Sequence, residues 1–216
     1  MKKNSVFGLI AMTLMLSVVG LSAKATNLGG CESADAKPVI YLYPTQDNTE
    51  ISVSLDYNGT LTTLDPAFNI EKGWKVTASP DGKITLGDKS YEYLFWEGVP
   101  DNQYNFFSGF CVKGSETETF LNEKLHYLGL NDTETKAFID YWLPHMKDNE
   151  YNVISFQEGA YTNNARLKVE PEPESVIRVF MAWYPSQKHV KILPQYLDGS
   201  ARHGYSVVEW GGNKVK

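Results

Sequence analysis

Apolar and polar residues alternate along most of this chain, in short runs broken by turn formers. Ile51, Val53, Leu55 and Tyr57 alternate with Ser52, Ser54 and Asp56, and Trp74, Val76 and Ala78 alternate with Lys75 and Thr77. Successive side chains of a strand point to opposite faces, so this pattern makes strands with one buried and one wet face. Val39, Tyr41 and Tyr43 alternate instead with Ile40 and Leu42, which predicts a strand buried on both faces. Further strands are expected at 83–86, 90–97, 105–112 and 151–156, then at 176–184, 190–193 and 206–210. The run from Val176 to Tyr184 is the most apolar beyond the N-terminus and reads as a central strand. Asn58-Gly59 carries a hairpin signal. Pro80-Asp81-Gly82 predicts a turn, because proline fixes φ and glycine tolerates positive φ.

The period changes once. Leu121, Leu125 and Leu128 recur at helical spacing behind Ser115-x-x-Glu118, a capping-box pattern, which predicts a helix over 116–128 stopped by Gly129. Asn131-x-x-Glu134 is a second capping box, ahead of an apolar stripe of Ala137, Phe138, Tyr141 and Trp142, with Pro144 set to kink or end that helix. The short connection makes the two a helical hairpin packed on the sheet. Glu170-Pro171-Glu172-Pro173-Glu174 reads as a stiff, solvated loop.

The N-terminus places two lysines before an apolar stretch from Val6 to about Leu21, then Ala23-Lys24-Ala25. That is the layout of a secretory signal peptide cleaved after Ala25, and its apolar run is short of the ~20 residues of a spanning helix. The expected organisation is a signal peptide over 1–25, a tether over 26–37 and one domain over 38–216. The class is α+β: mainly antiparallel, sandwich-like β with one inserted helical hairpin at about 115–147. Localisation is then secreted or periplasmic, with no membrane span after cleavage. Leu28-Gly29-Gly30-Cys31 also resembles a lipoprotein box, so Cys31 has two readings: a lipid anchor, or a disulfide with Cys111. The disulfide would close a loop of about 80 residues, worth ~4 kcal/mol in the chain-entropy model.

Charge narrows the partners. The whole chain carries −6, and removing residues 1–25 takes away three lysines and no acid, leaving −9. Nucleic acid and anionic membranes need a basic patch, so neither is an expected partner. No nucleophile elbow, zinc-protease helix, P-loop or dinucleotide glycine motif is present, and nothing points to a cofactor or metal.

Two features carry possible chemistry. Trp96-Glu97 and Glu209-Trp210 both end predicted strands, with each carboxylate behind apolar neighbours of its own face. Burial there raises a carboxylate's pKa, and an acid in each of two environments is the raw material of glycoside hydrolysis. Glu97 and Glu209 are therefore the candidate catalytic pair of a hydrolase, the plainer reading being strand-end residues that bond turn amides. Arg178 sits mid-strand among Val176, Phe180, Ala182 and Tyr184 and must find an acid, since it keeps its charge. Glu97 or Glu209 is the expected partner, and an anionic ligand the alternative. Aromatics make up 13% of the chain, enough to furnish both a core and a sugar-stacking surface. Trp96, Trp210, Tyr43 and Arg178 are the candidate ligand-binding residues.

The strings KPVIYLYP (37–44), YLFWEG (93–98), YWLP (141–144), IRVFMAW (177–183) and VEWGG (208–212) resemble the hallmarks of a family of uncharacterised exported bacterial proteins and related fungal ones. They span nearly the whole chain after the tether, so the resemblance is to one continuous domain. It implies no activity, cofactor or site residue. The leading expectation is an exported protein that acts by binding an envelope or extracellular glycan or protein. A carboxylate-pair hydrolase and a structural envelope component are the alternatives.

Overall fold

A computed structural model describes residues 36–215. The expected signal peptide, most of the expected tether and Cys31 lie outside the described residues. The strands are β1 (Ala36–Tyr43), β2 (Thr49–Tyr57), β3 (Gly59–Asp65), β4 (Gly73–Ala78), β5 (Ile84–Leu86), β6 (Lys89–Tyr91), β7 (Leu94–Pro100) and β8 (Ser108–Lys113). Helices α1 (Thr117–Tyr127) and α2 (Asp132–Met146) follow, then β9 (Tyr151–Phe156), α3 (Glu158–Asn164), β10 (Ala165–Glu170), β11 (Ser175–Ser186), β12 (Leu193–Pro194) and β13 (Ser206–Lys214). Among the described residues no helix is long and apolar enough to cross a membrane.

The strands form two sheets. One runs β12-β8-β9-β11-β13-β1-β7-β3, the other β10-β2-β4-β5-β6. Pairing is mostly antiparallel, with β11–β13 and β12–β8 parallel. The α+β class with a sandwich-like body and one helical hairpin is as the sequence predicts. The alternation explains the layering. Ile40 and Leu42 of β1, Trp96 of β7, Phe180 of β11 and Val207 of β13 face Ile51, Val53 and Leu55 of β2 and Trp74 and Val76 of β4 in a core between the sheets. The opposite face of the larger sheet, with Val39, Tyr41, Val179, Val208 and Trp210, packs against Leu121 and Leu125 of α1 and Phe138 and Trp142 of α2. Each fully buried aliphatic side chain of these layers contributes roughly 1.5–3 kcal/mol over exposure.

Several local expectations change. Asn58-Gly59 is not a hairpin: β2 pairs with β4 and β10, whereas β3 pairs with β7. The chain switches sheets there. The Asn58 N–H donates to the Asn164 carbonyl at 2.8 Å, and the Asn58 carbonyl accepts from the Asp101 N–H at 3.1 Å. Glycine is required at 59 because a Cβ would lie 2.3 Å from the Val99 carbonyl oxygen. The single strand expected at 90–97 is two strands in different sheets, so Tyr91 packs in the inter-sheet core while Tyr93 and Phe95 lie against the helical layer. Ser115 caps nothing; α1 starts after a 3-10 turn, with Glu116 at its N-cap and no side-chain cap. Asn131 and Glu134 do form a full capping box, and α2 continues through Pro144 to Met146. Helix α3 has no signal in the sequence, since its one deep anchor is Tyr161, stacked on Phe180 with ring centroids 3.9 Å apart.

Candidate functional site

Arg178 and Glu209 are partners in the parallel β11–β13 register. The guanidinium Nε donates to Glu209 Oε2 at 2.6 Å, with the carboxylate fully buried. The indole N–H of Trp96 donates to Glu209 Oε1 at 3.2 Å, and the guanidinium carbon lies 4.9 Å from the Tyr161 ring centroid. The expected buried ion pair is therefore present and ties β7, β11, β13 and α3 together. It is a clamp rather than a ligand anchor, because both oxygens of Glu209 are spoken for and neither meets solvent.

Glu97 lies elsewhere. It is half-buried on the face turned to the helices, accepts from Thr63 Oγ1 at 3.3 Å, and stands near Tyr141 of α2. Burial first, and then the Glu97 charge, hold the Tyr141 hydroxyl above the usual phenol range. Strand alternation thus puts Glu97 and Glu209 on opposite faces of the larger sheet, with β1 between their strands. The structure does not assemble them into an acid pair. Trp96 and Trp210 are buried, Trp96 between the sheets and Trp210 under the helices, so neither is an exposed sugar platform. Cys111 carries a free, half-buried thiol whose sulfur accepts the Val190 N–H at 3.2 Å; its expected partner Cys31 lies outside the described residues.

Of the expected ligand-binding residues, Tyr43 and Trp210 line an open cleft of about 880 Å³. One wall is β1, with Lys37, Tyr41 and Tyr43. The second is α2, with Ala137, Asp140 and Tyr141. The third is the segment around β6, Ser90 to Tyr93, with the Asp81–Lys83 turn, and Trp210 forms part of the floor. The rings of Tyr41 and Tyr43 lie parallel, 5° between planes and 6.2 Å between centroids, and Tyr93 meets Tyr41 edge-on at 5.6 Å. Residues i and i+2 of one strand share a face, which is why β1 presents both tyrosines here.

Two networks hold the rings in place. Lys37 Nζ sits 5.0 Å from the centroids of Tyr93 and Phe95 and 5.8 Å from that of Tyr141, and donates to the Tyr93 oxygen at 3.2 Å. An ammonium over ring faces is attracted by their quadrupoles. The Tyr43 hydroxyl donates to Glu134 Oε1 at 2.8 Å. Glu134, fully buried at the start of α2, also accepts the Asn131 N–H at 2.9 Å and pairs with Arg202, whose guanidinium donates to the Gly129 carbonyl as well. Burial, and then the Glu134 charge, push the Tyr43 phenol well up, with Arg202 pulling the other way. Tyr43 therefore stays protonated and donates throughout the neutral range.

Sequence reasoning singled out Tyr43 and Trp210 but not Lys37, Tyr93, Tyr141, Glu134 or Arg202 as parts of one site. A signal was present: the 37–44, 93–98, 141–144 and 208–212 strings each contribute a residue to the cleft.

Among curated proteins, an uncharacterized protein in bglA 3'region of Butyrivibrio fibrisolvens is 53% identical over 98 residues, which cover 45% of this chain and 99% of that relative. No family model matches the chain, and no solved structure matches it. Identity at that level, along nearly the whole of the relative, means that the chain belongs to the family of the uncharacterized Butyrivibrio fibrisolvens protein from the bglA 3'region.

Proposed function

We propose that this is an exported binding protein whose cleft takes a short, uncharged glycan. The observation that carries the reading is the cleft itself, with half-buried Tyr43, Tyr91, Tyr93 and Tyr141 set among polar side chains. A pyranose ring has an apolar C–H face that packs on an aromatic ring and an equatorial rim of hydroxyls that needs hydrogen bonds. Tyrosines supply the first surface; Ser90, Asp140 and Lys83 supply partners for the second. The volume falls within the roughly 300–1,000 Å³ usual for ligand sites. Charge favours a neutral ligand: Lys37 and Lys83 face Asp81, Glu92 and Asp140, so the walls carry both signs. Export rests on the N-terminal pattern of charge, apolar run and small-x-small site.

The test has two arms. Intact mass of the protein recovered outside the cytoplasm is expected to correspond to a chain beginning at Thr26; a chain retaining Met1 removes export. In the second arm, xylo-, cello- and manno-oligosaccharides are titrated calorimetrically against wild type and Tyr93→Ala. At least one series is expected to bind, with affinity falling about 10-fold in the variant, the ~1.4 kcal/mol scale of a lost aromatic contact. Absence of heat with every series, together with an unchanged melting temperature in mixed polysaccharides, overturns the glycan reading.

A further inference from the structure

The larger sheet has an interruption at its centre. Strand β9 pairs with β11 only over Met181–Ser186, so the first half of β11 is paired on one side alone, by β13. The last bond on the β9 side runs from the Gln157 N–H to the Phe180 carbonyl at 2.8 Å. Backbone groups of alternate residues point to alternate sides of a strand, so Val176 and Arg178 turn their N–H and C=O the same way as Phe180. Among the described residues no backbone partner meets them there.

This edge opens into a notch of about 220 Å³. Five consecutive β11 residues, Val176 to Phe180, line it. Neighbours on a strand point to opposite faces, so a run of them borders one cavity only where that cavity lies along the strand's edge. Phe156 and Gln195 line its far end, and the Gln195 side chain accepts the Phe156 N–H at 3.0 Å and donates to the Phe156 carbonyl at 2.6 Å on the side of β9 that faces away from β11. Val176, at the other end, is 53% exposed.

Charge and polarity describe what would fit. Glu158 at the start of α3 and Asp198 in the covering loop line the notch, both exposed, and neither makes an ion pair among the described residues. The Arg178 side chain does not balance them, since its guanidinium is committed to Glu209 and Tyr161. Leu128 and Leu197 add an apolar wall.

We propose that this notch is a strand-addition site that takes a short extended peptide with a basic side chain, its backbone pairing with Val176 and Arg178 and its cation meeting Glu158 and Asp198. Strand addition takes affinity from main-chain bonds and selectivity from the flanking side chains. An unpaired inner edge is also a hazard that a bound segment removes. The site is independent of the aromatic cleft.

The test uses a fluorescein-labelled peptide, acetyl-Lys-Val-Thr-Val-Lys-amide, with the intact mature protein. Saturating peptide is expected to slow hydrogen exchange at the Val176 and Arg178 amides. N-methylation of the central peptide residue, or exchange of both lysines for glutamate, is expected to weaken binding by about 10-fold or more. Val176→Pro, which removes an edge donor, should do the same with the cleft's ligand behaviour unchanged; should that variant fail to fold, the methylated peptide on wild type carries the same information. Three results overturn the proposal. One is amides of Val176 and Arg178 already protected in the free protein. Another is exchange unchanged by peptide. The third is a dimer in sedimentation that Val176→Pro dissolves, which assigns the edge to a second copy.

Discussion

Replacing Arg178 with alanine is expected to cost about 3–5 kcal/mol of folding stability, the usual penalty for removing one member of a buried pair. Glu209 is fully buried, and its remaining side-chain donor would be the Trp96 indole N–H at 3.2 Å. A lone ionised carboxylate in that position is strongly disfavoured, so the loss reflects the stranded acid more than the missing attraction. For a domain of this size each kcal/mol moves the melting temperature by roughly 2–4 °C, so a fall of about 10 °C is the expected reading. The double variant Arg178→Met with Glu209→Leu is expected to recover most of the loss, because it leaves no unpaired charge. Urea unfolding of wild type, both single variants and the double variant closes the cycle. An Arg178→Ala protein within about 1 kcal/mol of wild type would show that Glu209 finds another partner or takes up a proton.

Glu134→Ala is expected to be the second most damaging change, at about 2–4 kcal/mol. The carboxylate does three jobs: it accepts the Asn131 N–H of the capping box, the Tyr43 hydroxyl, and the Arg202 guanidinium. The cap by itself accounts for ~1 kcal/mol. The rest comes from leaving the half-buried Tyr43 phenol without its acceptor and the Arg202 guanidinium with only the Gly129 carbonyl. Glu134→Gln keeps one oxygen able to close the capping box but turns an amide NH2 toward Arg202, so it loses the charge and one of the bonds from Arg202, and its loss should be smaller than that of Glu134→Ala. Urea unfolding of the two variants separates the contributions. Oligosaccharide titration then reads a consequence beyond stability, since Tyr43 loses its tether to α2: Glu134→Ala should weaken binding while Tyr93 and Lys37 remain in place. Equal stability of the Glu134→Ala variant and the wild-type chain would mean the Tyr43–Glu134–Arg202 network is dispensable.

The two changes bear on different parts of the molecule. Arg178 and Glu209 stand in the layer between the sheets, where they join strands and leave nothing exposed for chemistry. Glu134 and Arg202 stand where the helices meet the open cleft, linking the α1–α2 turn and the 195–204 loop to a ring that lines it. The cleft therefore rests on a support reaching into the helical layer, and the ion pair between the sheets does not take part in it.

Alternation and helical spacing determined the class of this fold, the hairpin of helices, the two-faced burial of β1 and the central place of β11, because each is a local rhythm that any packing must respect. Proper capping at Asn131 was legible for the same reason. The same rhythm also placed Arg178 among apolar neighbours, from which an acidic partner followed. Which acid it took was not legible: Glu97 and Glu209 have like surroundings in the sequence, and only the order of strands put one beside Arg178 and the other on the reverse face. Tertiary structure alone decided that Asn58-Gly59 crosses between sheets, that Tyr91 and Tyr93 part company, and that tyrosines from β1, β6, the link after β6 and α2 share one cleft. Those outcomes depend on pairings between segments far apart in the chain, and a pattern of two or three residues carries no record of its distant neighbour.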